Sequence, residues 1–230
     1  MSWPSSNKVS TPGAPGAPVK TLLALLLVAV LAIFATYRVT DGFRVVTTED
    51  GRRLAIKEQP RRLPEAVIQY EDGTVLPLAQ ALREDGRITL AVFFYTRCNA
   101  VCSVIGTEFQ QLQENIRARG LESQIRLLSI SFDGNDGQHE LAEYAQRMHA
   151  KSGWRFARVV NAQQRGKLLD AFGITVIPAP LGEFQHNAAF HVLTPDGRLV
   201  RIVDYDQPEE ALAYALAAAK TVAARKGAAS

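Results

Sequence analysis

Cysteine and methionine are scarce in this chain, two of each in 230 residues. Two cysteines allow one disulfide at most, which excludes a small disulfide-stapled fold. The methionines are Met1 and Met148, too far apart to form a thioether-rich metal-binding segment. Charge of one sign is lacking as well. The formal net charge is +3, with Lys and Arg dispersed, no basic stripe and no aromatic RNA-binding signature, so nucleic acid is not an expected partner. No tandem repeat is evident. What remains is an ordinary composition, 47% hydrophobic and 21% charged, with room for one substantial globular domain.

Only one apolar run is long. Residues 1–20 are rich in Ser, Pro, Gly and Ala and read as a disordered tail. Thr21 to Tyr37 (TLLALLLVAVLAIFATY) is then uninterrupted, bounded by Lys20 and Arg38. This is short for a bilayer span, for which about 20 residues is typical. A cleaved signal peptide and a buried helix are the competing readings. The apolar core is long for a signal, and the best small-x-small site, Val30-Leu-Ala32, falls inside it. The expectation is an uncleaved transmembrane anchor over 21–37 in contact with membrane lipid. Lys8 and Lys20 precede it, and Arg38, Arg44, Arg52 and Arg53 follow, so charge alone leaves the orientation open.

Residues 38–62 read as a juxtamembrane linker, 63–224 as the globular domain and 225–230 as a C-terminal tail. Within the domain, Ala66–Tyr70 and Thr74–Pro77 flank Glu71-Asp-Gly73, a hairpin signature. A short helix over Leu78–Leu82 closes at Asp85-Gly86. Thr89–Tyr95 and Ile125–Phe132 read as buried strands, and Trp154–Val160 as a third. Ile105, Phe109, Leu112 and Ile116 recur at helical spacing between the first two, and Gly137–Met148 and Arg165–Phe172 read as helices. Ala188–Leu193 and Leu199–Val203 flank Pro195-Asp-Gly197, a second hairpin. Pro208-Glu-Glu210 opens a closing helix, with Pro at its first turn and acids against the dipole. This order is that of a thioredoxin-like α/β domain, a central mixed sheet flanked by helices.

Both cysteines fall in one run, FFYTRCNAVCS, as Cys98 and Cys102. They follow an apolar strand and precede a helix, where open α/β sheets tend to place ligands and where a helix N-terminus favours the thiolate. In a helix, i and i+4 share a face about 6 Å apart, within reach of a disulfide. The pair could therefore form a reversible disulfide, serve as a structural disulfide or chelate one metal. Two thiolates are soft donors that favour Cu(I), with Zn(II) also possible.

A third donor would be a histidine. His186 and His191 lie five residues apart, so a straight strand points them to opposite faces and only one should see the site. His186, at the loop end where the chain enters the sheet, is better placed. His191, among apolar neighbours, reads as a packed residue, and His139 and His149 as solvated helix positions. Asp133 and Asp136 read as turn formers, with docking of a partner as the alternative.

The run FFYTRCNAVCS, the following SISFD and His186 eleven residues before the Gly of PDGRLV resemble the Sco/SenC family over roughly residues 63–205. These are membrane-anchored, thioredoxin-like proteins that bind copper and help to assemble the copper centre of cytochrome c oxidase. The resemblance implies that Cys98, Cys102 and His186 bind copper, as Cu(I) and possibly Cu(II). It implies two partners, a copper donor protein and an acceptor such as the copper-centre subunit of the oxidase. It also implies a domain held outside the cytoplasm, and the Ala- and Arg-rich composition leans toward a single-pass protein of the bacterial inner membrane facing the periplasm. Three positions depart from the family pattern. Ser103 stands where Pro is usual, Gln185 where Asp is common, and the loop Asp133-Gly-Asn-Asp136-Gly is shorter than the usual DPxRDT-like segment. A thiol-disulfide oxidoreductase that keeps a partner's cysteines reduced is the alternative function, with Cys98 and Cys102 as its redox pair.

Overall fold

A computed structural model describes residues 17–40, 42, 47–98 and 101–228, without the side chains of 17, 18, 48, 101–105 and 226. The chain forms two units that divide between Asp50 and Gly51. The first contains α1 (Ala17–Val39), whose leucines, valines and isoleucines face outward on every side, Leu22 and Val28 being 67% and 63% exposed. At about 1.5 Å per residue its 23 residues reach about 34 Å, enough for a hydrocarbon layer of about 30 Å. Among the described residues it is the one helix long and apolar enough to cross a membrane.

Helix α2 (Thr48–Glu58) straddles the division. Its start is set by a reciprocal cap: Thr47 N–H donates to the Asp50 carboxylate, and Asp50 N–H donates to Thr47 Oγ1. This helix lies inside the stretch read from sequence as linker. Its polar sequence, TEDGRRLAIKE, carries one strong core contact, Ile56 at 1% exposure. One buried residue per three turns is too weak a pattern to announce a helix. Arg53 adds a two-pronged ion pair to Asp204, both contacts 2.7 Å. Because both side chains are partly exposed, Arg53→Ala is expected to lower stability by only about 1 kcal/mol. Urea unfolding of the detergent-solubilised chain checks this, and a loss several times larger would show that α2 is a keystone rather than a strap.

The second unit is built on an eight-stranded sheet in the order β1-β10-β9-β4-β5-β6-β2-β3. Its centre is parallel: β4 (Ile88–Phe94), β5 (Ile125–Ser131) and β6 (Trp154–Val159) lie side by side. Every residue of β4 and β5 is buried, which is why both read as largely apolar strands without alternation. Arg126 of β5 is the one charged residue of these two strands, 4% exposed yet satisfied by Thr89 Oγ1 at 2.8 Å and Asp85 at 3.1 Å. On one side β9 (Ala189–Leu193) and β10 (Arg198–Asp204) continue the sheet antiparallel, edged by β1 (Arg61–Arg62). On the other, the hairpin β2 (Val67–Tyr70) and β3 (Val75–Pro77) turns at Gly73, whose φ of +86° only glycine adopts easily.

The helices fill the connections. α3 (Leu78–Asp85) ends at Gly86 in the left-handed region. α4 (Val101–Ala118) and α5 (Gln138–Arg147) follow β4 and β5, and α6 (Ala162–Phe172) follows β6 behind an Asn161 cap. α7 (Pro208–Ala228) closes the domain against β4, β9, β10 and α4, running on into the stretch read as a tail. His149 lies just past α5 rather than on it, in a turn with φ of +51°. The remaining strands, β7 (Val176–Pro178) and β8 (Phe184–His186), form a separate two-stranded hairpin, although Pro178 and Pro180 give the segment the composition of a loop. This is the thioredoxin-like α/β architecture expected, with an N-terminal apolar helix added.

Candidate metal centre

Cys98 sits on the turn that leaves the C-terminal end of β4, its N–H donating to the Tyr95 carbonyl. Its side chain is half-buried and packs against the core. Cys102 lies in the first turn of α4, and its side chain is outside the described residues. The strand-end and helix-start placement expected for the pair is what the fold provides. His186, the third candidate, ends β8 and is half-buried.

Tyr95 is the residue on which Cys98 and His186 meet. It is 1% exposed. Burial and a hydrogen bond to Glu183 push its hydroxyl above the ordinary phenol range, and the Cys98 thiol acts in the same direction. Its ring lies 6.3 Å from the His186 ring, edge-on, and Phe132 lies 4.8 Å from that imidazole. Phe184 completes an aromatic group with Tyr95 and Phe132 at 5.1 Å and 5.6 Å.

The imidazole is also held in one tautomer. His186 Nδ1 is 2.9 Å from the Asn187 carbonyl, which can only accept, so Nδ1 carries the proton and the ring's lone pair is on Nε2. Asn187 is itself pinned, accepting from Thr175 N–H at 2.7 Å and donating to the Gly173 carbonyl at 2.8 Å. Gly173 ends α6 at φ of +75°, and a Cβ there would meet the Arg52 guanidinium.

The loop carrying Cys98 is tied from below by two buried carboxylates. Asp136, 1% exposed, accepts from Thr96 N–H at 2.9 Å, Thr96 Oγ1 at 2.6 Å and Ser131 Oγ at 2.5 Å. Asp133, 3% exposed, pairs with Arg97 at 2.8 Å. Burial opposes ionisation of Asp133, but the Asn135 N–H and Arg97 outweigh it and hold the carboxyl below its usual range. These aspartates do more than form a turn. They are fastened beneath Thr96 and Arg97, the two residues before Cys98. A turn-like DGND segment gave no sign of this, because the partners lie about 40 residues away in sequence.

The other histidines are apart from this cluster. His191 is fully buried on β9 between Phe93 and Phe172, as its apolar neighbours implied. His139 is exposed on α5. Among the described residues no group of three His, Cys, Asp or Glu side chains is preassembled around a point. The chemistry of the donors fits a soft ion all the same: one or two thiols and an imidazole with its lone pair fixed on Nε2 suit Cu(I) far better than a hard cation.

A thiol-bearing turn between a central parallel strand and the next helix, with a histidine on a separate two-stranded hairpin, is set in a thioredoxin-like domain. Residues 79–221, more than half of the chain, match the SCO1/SenC family model, and the protein belongs to the SCO1/SenC family. It is 26% identical over 145 residues to the SCO1 protein homolog of Bacillus subtilis (strain 168), covering 61% of this chain and 72% of that one. Solved structures share the fold. BsSco, a member of the Sco family of cytochrome c oxidase assembly proteins with an identified disulfide switch, superposes with a TM-score of 0.60 at 21% identity, covering 70% of this chain and 95% of that one. Bradyrhizobium japonicum ScoI, a structure with copper bound, gives 0.55 at 21% identity over 69% and 99% of the two chains.

Proposed function

We propose that this protein binds Cu(I) through Cys98, Cys102 and His186 and delivers it during assembly of the copper centre of a respiratory cytochrome c oxidase. Copper is the cargo. It would enter from a donor protein as the thiols lose their protons, and leave by ligand exchange to the copper-centre subunit or another acceptor. The observation that carries the reading is that Tyr95 accepts the Cys98 N–H at its carbonyl and sets its ring 6.3 Å from that of His186, bringing together residues 88 apart in sequence. Membership of the SCO1/SenC family and the copper in the Bradyrhizobium structure support it. Helix α1 would serve as an uncleaved anchor over residues 21–37 in the bacterial inner membrane, with residues 63–224 forming the copper-binding domain in the periplasm. Cu(II) binding by the same donors belongs to this proposal.

The test is an anaerobic Cu(I) titration of the reduced, detergent-solubilised full chain beside its His186→Ala variant. The wild type is expected to bind one tight copper per chain, and the variant to bind at least tenfold more weakly (roughly the loss typical of disturbed metal shells). Equal affinities would remove His186 from the site. Absence of tight binding in the wild type, with both thiols reactive, would favour the thiol-disulfide oxidoreductase, which needs no histidine.

A further inference from the structure

The hairpin that carries His186 is structurally exposed to loss. It is a two-stranded sheet outside the main one, and such pairs are marginal unless something holds them. Asn187 ties its open end to Thr175 and Gly173, Phe132 packs on Phe184 and His186, and the tie to the thiol-bearing strand is the hydroxyl of Tyr95. The oxygen donates to Glu183 Oε2 at 2.5 Å and lies 3.3 Å from Phe184 N–H, which donates to it, so one buried atom ties two consecutive hairpin residues to the end of β4. The same ring packs edge-on against Phe184 and His186. Within the hairpin, Phe184 pairs with Pro178 and His186 with Val176, so the tied end and the histidine lie on one three-residue strand.

We infer that Tyr95 and Glu183 are positioning residues: their hydrogen bond latches the β7–β8 hairpin to the thiol-bearing strand and thereby holds His186 beside Cys98. Neither residue supplies a donor to the metal. The latch acts through the imidazole, and its effect on copper rests on the three-donor reading above. Tyr95→Phe removes both hydroxyl contacts while keeping the ring in its aromatic group. Glu183→Ala removes the acceptor alone, and Glu183→Gln restores a neutral acceptor at the same position.

Two measurements on the full chain in detergent test this and separate it from the copper reading. The first uses no metal. Hydrogen exchange is expected to quicken about tenfold over residues 176–187 in Tyr95→Phe and Glu183→Ala, to recover in Glu183→Gln, and to stay unchanged over β9 and β10. The second is Cu(I) affinity by competition titration. Tyr95→Phe should weaken binding about tenfold in the wild-type background and leave it unaltered when His186→Ala is already present. Unchanged exchange in the hairpin overturns the latch. So does a Tyr95→Phe chain that keeps full copper affinity while His186→Ala loses it, or one that loses the same factor with and without His186. If exchange quickens as expected while His186→Ala itself has no effect on copper, the latch stands and the three-donor site fails.

Discussion

Asp136→Ala is expected to lower the unfolding free energy by about 4 kcal/mol, the largest single-residue effect outside the apolar core. The carboxylate is nearly inaccessible to water and accepts three hydrogen bonds, two from Thr96 and one from Ser131. Bonds to an ionised acceptor contribute roughly 1.5–3 kcal/mol each. The two hydroxyls can rotate toward other acceptors, but the Thr96 N–H cannot, and alanine leaves it buried and unsatisfied. The sum is therefore less than three full bonds and more than one. Asp136→Asn keeps one accepting oxygen and the side-chain volume, so a loss of about half is expected. Urea unfolding of the detergent-solubilised chain, followed by tryptophan fluorescence, measures both. A loss below about 1 kcal/mol for Asp136→Ala would mean that water or a shifted Thr96 replaces the carboxylate with ease. Because Thr96 lies two residues before Cys98, the same tie fixes where the thiol turn leaves β4.

The second large effect is on pH dependence, and it comes from His191. Burial lowers its pKa to about 4, opposed by the Ala91 and Phe172 backbones and assisted by the positive charge of Arg53. Nδ1 is 3.3 Å from the Ala91 carbonyl, while Nε2 is buried without a hydrogen-bond partner. In the unfolded chain the ring titrates near its ordinary value of about 6.5. Between these limits the unfolded state binds the proton and the folded state does not, so stability falls as pH falls. The contribution is intact above about pH 6.5, declines on acidification toward pH 4, and is constant below. A shift of this size corresponds to about 3 kcal/mol. His191→Leu removes the titration. Unfolding free energies of wild type and variant should therefore draw apart steadily from pH 6.5 to pH 4, over and above any constant offset. A difference that does not change with pH would show that the ring is protonated, or hydrated, within the fold.

The central sheet and its helices were legible in the sequence because their signals are local. β4 and β5 are largely apolar, the hairpins carry Glu-Asp-Gly and Pro-Asp-Gly turns, and α7 opens with Pro and two acids. The thiol turn was legible for the same reason, as two cysteines at a strand-to-helix junction. His191 is a packed residue of β9, as its apolar neighbours implied, but the alternation of faces along one straight strand does not apply to the pair, because His186 lies on β8 in the separate hairpin.

What escaped the sequence depends on partners far along the chain. α2 is polar on nearly every face and shows itself only through the burial of Ile56 and the Arg53–Asp204 pair, 151 residues apart. The β7–β8 hairpin is masked by Pro178 and Pro180, which argue for a loop, and is held from outside by Tyr95. Asp133 and Asp136 look like turn residues until Arg97 and Thr96 are seen above them. Arg126 reads as an error in an apolar strand until Asp85 and Thr89 account for it. Each of these rests on a polar group whose position makes sense only with its distant counterpart.

The proposal that this member of the SCO1/SenC family carries copper on its thiol turn is tested most directly by anaerobic Cu(I) titration of the reduced full chain beside a Cys98→Ser/Cys102→Ser variant. The account predicts one tight copper per chain in the wild type and loss of that binding in the variant. Tight one-to-one binding that survives without both thiols would contradict it.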